Sequence, residues 1–213
     1  MDPNKIDVSR LESLPEDLLG VIVRKLGATD TTTYHFCLRS CKKLGATAHD
    51  ERVCTTVNLA PLVKRPLLTV KYFPVLKRCL AHYNPDAHYI KGILRYFLLN
   101  QSTVGLHHLD VAADAGKKDA IYLYAILLLC RDMIAEGKTY LNQLKWEENT
   151  DIVDACWKSI KTSSQGIRVG RKRCYLVSLE KMKPYNFCHL NDLDTTCAEC
   201  FYYKKMKKFI YII

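Results

Sequence analysis

Two cysteines near the end of the chain have the spacing of a metal-binding pair. Cys197 and Cys200 are separated by two residues, and Cys188 and His189 lie upstream of them. Structural zinc needs four ligands, usually supplied as two spaced pairs. Because Cys188 and His189 are adjacent, they do not form a regular second pair. The sequence therefore predicts no metal site, and it favours packed or inert thiols over zinc; these four residues are the candidate ligands if zinc is bound.

Other residues that could do chemistry form no recognisable catalytic signature. The sequence has no glycine-rich phosphate loop, no HExxH motif and no nucleophile elbow. His107 and His108 stand at the start of an apolar helical segment, where an interhelix hydrogen bond or a surface role is favoured over proton transfer. We therefore predict a non-catalytic protein that needs no cofactor.

The positive charge is concentrated at one end of the chain. The net charge is +10, and residues 158–213 hold twelve Lys and Arg against four Asp and Glu. A basic loop at 166–173 contains Arg168, Arg171, Lys172 and Arg173, which could attract phosphates or an acidic protein. No nucleic-acid recognition motif accompanies the loop, so a solvated face is favoured over nucleic-acid contact.

Composition and the first residues indicate an intracellular globular protein. Met1–Arg10 is polar and has no apolar segment flanked by basic residues, so no secretory signal is predicted. The longest strongly apolar run, Ile121–Cys130, is about half of the ~20 residues that cross a bilayer and indicates a buried helix. The ten scattered cysteines are then expected to stay reduced, most of them as small core residues. We expect a cytoplasmic or nuclear protein with disordered residues 1–10.

The elements that would position a binding surface begin with a short amphipathic helix. Ser13 and Glu16 have the spacing of a capping box, and Pro15 suits the first helical turn. Gly27 is the expected C-cap. The apolar stripe of this helix is formed by Leu14, Leu18, Leu19, Ile22 and Leu26. A second helix is predicted to start within residues 29–33 and to close at Gly45, and a third to follow within 46–57. Three helices in under fifty residues make a small core, so exposed leucines here should meet another surface.

The order of these residues resembles the F-box motif over residues 11–58. The matching run comprises Leu14–Leu19, Ile22, Leu26, Asp30 and Leu38–Lys42. The resemblance implies a three-helix module that binds the Skp-type adaptor of a cullin ubiquitin ligase. It also implies that the adaptor-facing residues are Leu14, Pro15, Leu18, Leu19, Ile22 and Leu26, with Leu38 and Cys41 supporting or extending that surface.

The middle of the chain contains an internal repeat. Pro61 and Pro66 mark a linker, and the nine residues from Asp86 align with the nine from Asp119 at an offset of 33. Between the copies, residues 106–116 predict a helix that stops at a glycine. This pattern resembles the Sel-type subfamily of tetratricopeptide-like repeats, in which small and aromatic residues let helices pack closely. The corresponding residues are Tyr89, Gly92, Ala112, Ala113, Tyr122 and Ala125. A generic helical bundle is the alternative.

Together these features predict an all-α chain with four parts. They are a disordered start (1–10), an F-box (11–58), a helical-repeat domain (67–161) and an irregular, basic, CxxC-containing tail (162–213). The combination resembles a group of small plant F-box proteins, which implies a substrate receptor that holds an unknown target protein through its repeats. The alternatives are a helical interaction scaffold without ligase association, or a nucleic-acid-binding or zinc-binding protein.

Overall fold

The computed structural model describes residues 13–185, 188–189 and 192–213. Over these residues the chain is all-α, as predicted, with thirteen α-helices, one 3-10 helix, one π-helical turn and no strand. The chain forms two compact units. One contains the described residues up to Leu62 together with Leu68–Ala87, and the other contains Val63–Leu67 and the described residues from His88 onwards.

The helices are short, and most are joined by tight turns. The first six are α1 (Glu16–Thr29), α2 (Thr31–Ser40), α3 (Lys42–Thr47), α4 (Glu51–Cys54), α5 (Ala60–Lys64) and, after a 3-10 helix at Pro66–Val70, α6 (Phe73–Ala81). The others are α7 (Pro85–Ile93), which continues into a π-helical turn (Leu94–Leu98), α8 (Ser102–Asp114), α9 (Lys118–Cys130), α10 (Ile134–Asn142), α11 (Thr150–Ser163), α12 (Arg173–Lys181) and α13 (Phe201–Ile212).

Helix α1 forms where the apolar stripe predicted it, but its ends differ from the prediction. Its N-cap is Pro15, so the expected capping box at Ser13 is not the cap, and the helix runs past Gly27 to Thr29. Gly27 is buried, and a Cβ there would lie 3.2 Å from the Tyr34 ring. This glycine therefore permits close contact between α1 and α2 instead of ending the helix.

Side-chain caps set the starts of the next two helices. Asp30 caps α2 by accepting a 2.9 Å hydrogen bond from the Thr33 backbone N–H. Helix α2 ends at Ser40, earlier than predicted, and Gly45 lies inside α3. The Cys41 sulfur caps α3 by accepting from the Leu44 backbone N–H at 3.4 Å.

The first unit has a small apolar core held by buried hydrogen bonds. The Tyr34 hydroxyl donates to the Ala48 carbonyl at 2.6 Å, and the Asn84 side chain donates to the Cys54 carbonyl at 3.0 Å. The buried apolar residues around them include Leu19, Val23, Cys37, Leu44, Val53, Val57 and Leu59. Such pairing offsets the cost of burying polar groups in a small core.

Helix α9 is the centre of the second unit. Every residue from Ala120 to Cys130 is buried except Tyr124, and α8, α10, α11, α12 and α13 all contact this helix. Because the helix is surrounded on all sides, its sequence is apolar all round instead of amphipathic. The prediction of a buried helix at Ile121–Cys130 is confirmed. Among the described residues, no helix combines the length and hydropathy needed to cross a membrane.

The segment predicted as an irregular tail contains two helices. Residues 201–212 form α13, which packs on α9 and α12. Three of its lysines, Lys204, Lys205 and Lys208, are buried, and Lys205 Nζ lies 3.1 Å from an Asp154 carboxylate oxygen. Part of the basic charge is therefore used inside the fold.

Candidate functional site

An apolar row on the outer side of α1 is the main feature of the first unit. Leu18, Ile22 and Leu26 recur every four residues and so lie on one side of the helix. Leu18 is 53% exposed and Leu26 is 38% exposed, while Ile22 is partly exposed. Pro15 is exposed and Leu14 is partly exposed just before this row. These five residues, called the α1 row below, present apolar surface to solvent.

Leu19 lies on the other side of α1. Its side chain is completely buried, together with Val23 and Gly27, which follow it at four-residue spacing. Leu19 therefore contributes to the core of the unit. The F-box resemblance had implied that it faces the adaptor. The pattern of leucines alone could not separate the two sides, because both are apolar.

The remaining predicted adaptor residues are only partly accessible. Leu38 and Cys41 are intermediate in exposure, and the Cys41 sulfur is engaged in capping α3. The most exposed aromatic residue of α2 is instead Phe36, at 67% exposure. Phe36 lies on the side of α2 opposite the buried residues Thr31, Tyr34 and Cys37. This exposure was not predicted from the sequence, although the helical spacing of the three buried residues would have indicated it.

The residues predicted to pack the repeats are all buried in the second unit. They are Tyr89, Gly92, Ala112, Ala113, Tyr122 and Ala125. A Cβ on Gly92 would lie 2.6 Å from Leu109 Cγ, so a larger residue there would have to displace Leu109. The Tyr89 hydroxyl is 3.3 Å from the Ser163 hydroxyl, whereas the Tyr122 hydroxyl is buried without a hydrogen-bond partner among the described residues.

Two further glycines extend the repeat beyond the two copies found in the sequence. A Cβ on Gly105 in α8 would lie 2.6 Å from the backbone nitrogen of Tyr96, and one on Gly137 in α10 would lie 2.8 Å from Leu129. Both glycines precede a buried leucine, Leu109 or Leu141, by four residues. The two glycine–leucine pairs are 32 residues apart, which indicates a third helical repeat formed by α10 and α11.

A polar network joins α8, α9 and α10. The Tyr140 hydroxyl donates to carboxylate oxygens of Asp110 and Asp114, both at 3.0 Å, and its ring lies edge-on to Tyr124 at 4.9 Å. Burial, together with the nearby Asp110 carboxylate, raises the pKa of Tyr124 to about 12. These side chains therefore stay neutral tyrosines and fix the spacing of the three helices.

The adjacent histidines of α8 divide between the two roles that the sequence favoured: His107 is exposed, and His108 contacts another helix. His108 Nδ1 lies 3.2 Å from His88 Nδ1, so one ring donates to the other. Burial lowers the pKa of His108 to about 4, and neighbouring His88 adds to the effect. A contact of this kind, with His108 neutral, joins α7 to α8.

The candidate metal ligands are brought together in the described part of the tail. Ligand atoms of Cys188, His189, Cys197 and Cys200 all lie within 4.8 Å of one another. The adjacent pair converges because His189 has a positive φ of 54°, an uncommon backbone conformation that redirects its side chain. Cys188 and His189 therefore reach one point, although they do not have the regular spacing of a metal-binding pair.

Comparisons with known proteins find a repeat family and two relatives of this chain. Residues 63–165 match a family model described as plant tetratrico peptide repeats. The chain is 58% identical over 146 residues to F-box protein At2g35280 of Arabidopsis thaliana, covering 68% of this chain and 90% of the relative. It is also 30% identical over 122 residues to a protein of the same plant named "Putative F-box protein At1g67623". This second match covers 56% of this chain and 40% of that protein.

No solved structure matches the chain significantly. Its family is established instead by the extent and identity of the match to the first relative, together with the repeat match. The chain therefore belongs to the plant F-box proteins and carries tetratricopeptide-like repeats.

Proposed function

We propose that this protein is the substrate-recognition subunit of a Skp–cullin–F-box ubiquitin ligase. In this role the first unit binds a Skp-type adaptor, and the second unit binds the target protein. The observation that carries the proposal is the α1 row, with Leu18 and Leu26 exposed in a module whose sequence resembles the F-box. Such a role places the protein in the cytoplasm or nucleus.

The physical argument starts from the cost of exposed apolar surface. Fully burying a leucine side chain contributes about 1.5–3 kcal/mol relative to leaving it in water. Leu18 is 53% exposed, so an adaptor that covers it would gain a substantial part of that free energy. Three residues of the α1 row, Leu18, Ile22 and Leu26, recur at four-residue spacing, and such spacing suits the groove of a helical partner.

A scaffold in which these helices only cap a larger domain would bury the same leucines internally. Leu19 follows that pattern, since it is fully buried, but Leu18 does not. The contrast between these neighbours favours the adaptor-binding proposal. Phe36, at 67% exposure, is a further apolar contact that we assign to the adaptor side.

The proposed mechanism is positioning and needs no catalytic residue in this chain. Holding a target near the ubiquitin-carrying partners replaces a chance encounter with a high effective concentration. The stacked repeats suit this role because buried glycines and the Tyr140 network hold α8, α9 and α10 rigidly. A rigid surface loses little conformational entropy when it binds a target.

The adaptor contact is tested by pull-down of a purified Skp-type adaptor with the full chain. We expect wild type to bind and the double variant Leu18→Ala, Ile22→Ala to lose binding while its circular dichroism spectrum is unchanged. Leu176→Ala is the matched control, because Leu176 is a comparably exposed leucine (41%) in α12, and it should bind like wild type.

A folded wild-type chain that fails to bind any adaptor would support the scaffold alternative. The target contact needs a separate variant on the exposed side of α8, where Val104 is 45% exposed. A true target should bind wild type and the Leu18→Ala, Ile22→Ala variant equally, because its contact is independent of α1. It should bind Val104→Asp less well; equal binding to Val104→Asp would argue against this side of α8.

A further inference from the structure

The cysteine and histidine side chains of the tail have the separations of a tetrahedral metal site. The Cys188 and Cys197 sulfurs are 3.3 Å apart, and the Cys197 and Cys200 sulfurs are 3.6 Å apart. The Cys200 sulfur lies 4.0 Å from His189 Nδ1. Zinc–sulfur bonds of about 2.3 Å in a tetrahedron put two sulfur ligands about 3.8 Å apart. These three separations are therefore close to those of a zinc tetrahedron, and all four ligand atoms lie within 4.8 Å of one another.

We propose that Cys188, His189, Cys197 and Cys200 bind one structural Zn²⁺ ion. Three thiolates and one imidazole are a donor set that zinc prefers, and four protein ligands leave no open position for water or substrate. The site is therefore structural and not catalytic. This inference is independent of the ligase role, because it concerns how the tail is held.

The turn that carries the CxxC pair favours thiolate ligands. The backbone N–H of Cys197 donates to the Cys200 sulfur at 3.3 Å. Hydrogen bonds from backbone N–H groups stabilise a charged sulfur more than a neutral thiol. Metal binding requires the deprotonated form, so this turn supports the coordination that we propose.

A buried lysine holds the loop between the two halves of the site. Lys204 is only 4% exposed, and its ammonium donates to the carbonyls of His189, Asp192 and Thr195 at 2.8, 2.6 and 2.6 Å. The lysine thus gathers the backbone that carries the ligands even without a metal. Three thiolates with Zn²⁺ carry one net negative charge, which the lysine's positive charge also stabilises.

The bound ion would fix the start of α13. Cys200 is the N-cap of this helix, and the next residue, Phe201, stacks on Trp146 with ring centroids 3.7 Å apart. A rigid Cys200 would hold Phe201 against that tryptophan. Loss of the ion should therefore loosen α13 and change the fluorescence of Trp146.

A disulfide is the other chemistry open to close cysteines. It would join only two of the three sulfurs and would leave His189 without a role, although His189 adopts an uncommon backbone conformation that brings its ring to the cluster. Zinc uses all four side chains. This is why we favour the ion, and the measurements below detect either outcome.

The test measures metal in the full chain, purified without a histidine tag and in metal-free buffer. We expect about one zinc per chain by mass spectrometry of the metals, and background zinc in Cys197→Ser. Cys174→Ser is the control, because Cys174 is an exposed cysteine of α12 outside the cluster, and it should keep its zinc. Folded wild type without zinc, with another metal, or with a Cys188–Cys197 disulfide by intact mass would overturn the proposal.

A second variant keeps the test decisive if Cys197→Ser does not fold. His189→Cys should still bind one metal ion, and its Co²⁺-substituted form should show stronger sulfur charge-transfer absorption than wild type because a fourth thiolate replaces the imidazole. An identical Co²⁺ spectrum would show that His189 is not a ligand. A chelator that removes the ion from a Trp157→Phe variant, in which Trp146 is the remaining tryptophan, should shift the fluorescence, and an unchanged spectrum would overturn the role at α13.

Discussion

The hydroxyl groups of Tyr96 and Tyr175 are 2.6 Å apart, although 79 residues separate them in the sequence. Tyr96 lies in the π-helical turn after α7, and Tyr175 lies in α12. Both side chains are buried, and burial raises the pKa of each. The pair is therefore a neutral hydrogen bond that joins the tail to the repeats, which explains why residues after 165 pack as part of the second unit.

Removing this hydrogen bond should lower the unfolding free energy of the second unit, but the unit should remain folded. Tyr175→Phe deletes one hydroxyl and leaves the other buried, which costs about 1–2 kcal/mol of unfolding free energy. Chemical denaturation followed by circular dichroism measures the change. Tyr185→Phe is the control, because Tyr185 is fully exposed and should show no loss. Equal stability of both variants would mean that the buried bond contributes nothing.

Gly105 should be the glycine least tolerant of a side chain. A Cβ there would lie 2.6 Å from the backbone nitrogen and 2.7 Å from the Cα of Tyr96, and backbone atoms cannot move aside as a flexible side chain can. We expect Gly105→Ala to cost about 1–3 kcal/mol, as overpacking does.

Gly170→Ala is the matched control for this substitution. Nothing lies within 4 Å of a Cβ at Gly170, so this change should leave the unfolding free energy unchanged or raise it slightly. Thermal unfolding of the two variants checks the difference. A Gly105→Ala protein as stable as wild type would contradict the close contact between α8 and the π-helical turn.

The sequence predicted the kinds of elements better than their ends. Helical spacing identified α1 and α9, because α1 has strong apolar periodicity and α9 has a continuous apolar run. It misplaced the end of α1, because Gly27 serves packing against Tyr34 and a sequence cannot show which use a glycine has.

Local sequence spacing was also insufficient to predict the adaptor-binding surface and the metal-ligand cluster. The leucine pattern could not place Leu18 outside and Leu19 inside, since that depends on where α2 and α3 pack. The spacing of Cys188 and His189 did not indicate a second ligand pair, because it does not show the positive φ of His189. In each case a long-range contact or a backbone conformation decided the outcome, and neither is encoded in local spacing.

The histidine pair should make stability fall in mild acid. The pKa of His108 is lowered to about 4 by burial first and then by His88, His107, Lys91 and Arg95, whereas an unfolded histidine titrates near 6.5. Between these values the unfolded chain binds a proton that the folded chain does not. The stabilisation is therefore complete above about pH 6.5 and is lost as the pH falls towards 4.

Because His108 is partly exposed, solvent screening limits this loss to on the order of 1 kcal/mol. His108→Gln cannot titrate, so its unfolding free energy should change less than that of wild type between pH 7 and pH 5. Denaturation curves at the two pH values measure this difference in slope. The same pH dependence in wild type and variant would show that the pair does not contribute.

Substitution of the neighbouring residues Leu18 and Leu19 should affect different properties, adaptor binding for Leu18 and folding stability for Leu19. Leu19 is fully buried, so Leu19→Ala should cost about 2–5 kcal/mol of stability through the lost contacts and the cavity. Leu18 is 53% exposed, so Leu18→Ala should change stability by less than about 1 kcal/mol while weakening the adaptor complex. Thermal unfolding and adaptor titration of both variants provide the two measurements. If Leu18→Ala destabilised the chain as much as Leu19→Ala, the α1 row would be part of the core, and the adaptor surface would have to lie elsewhere.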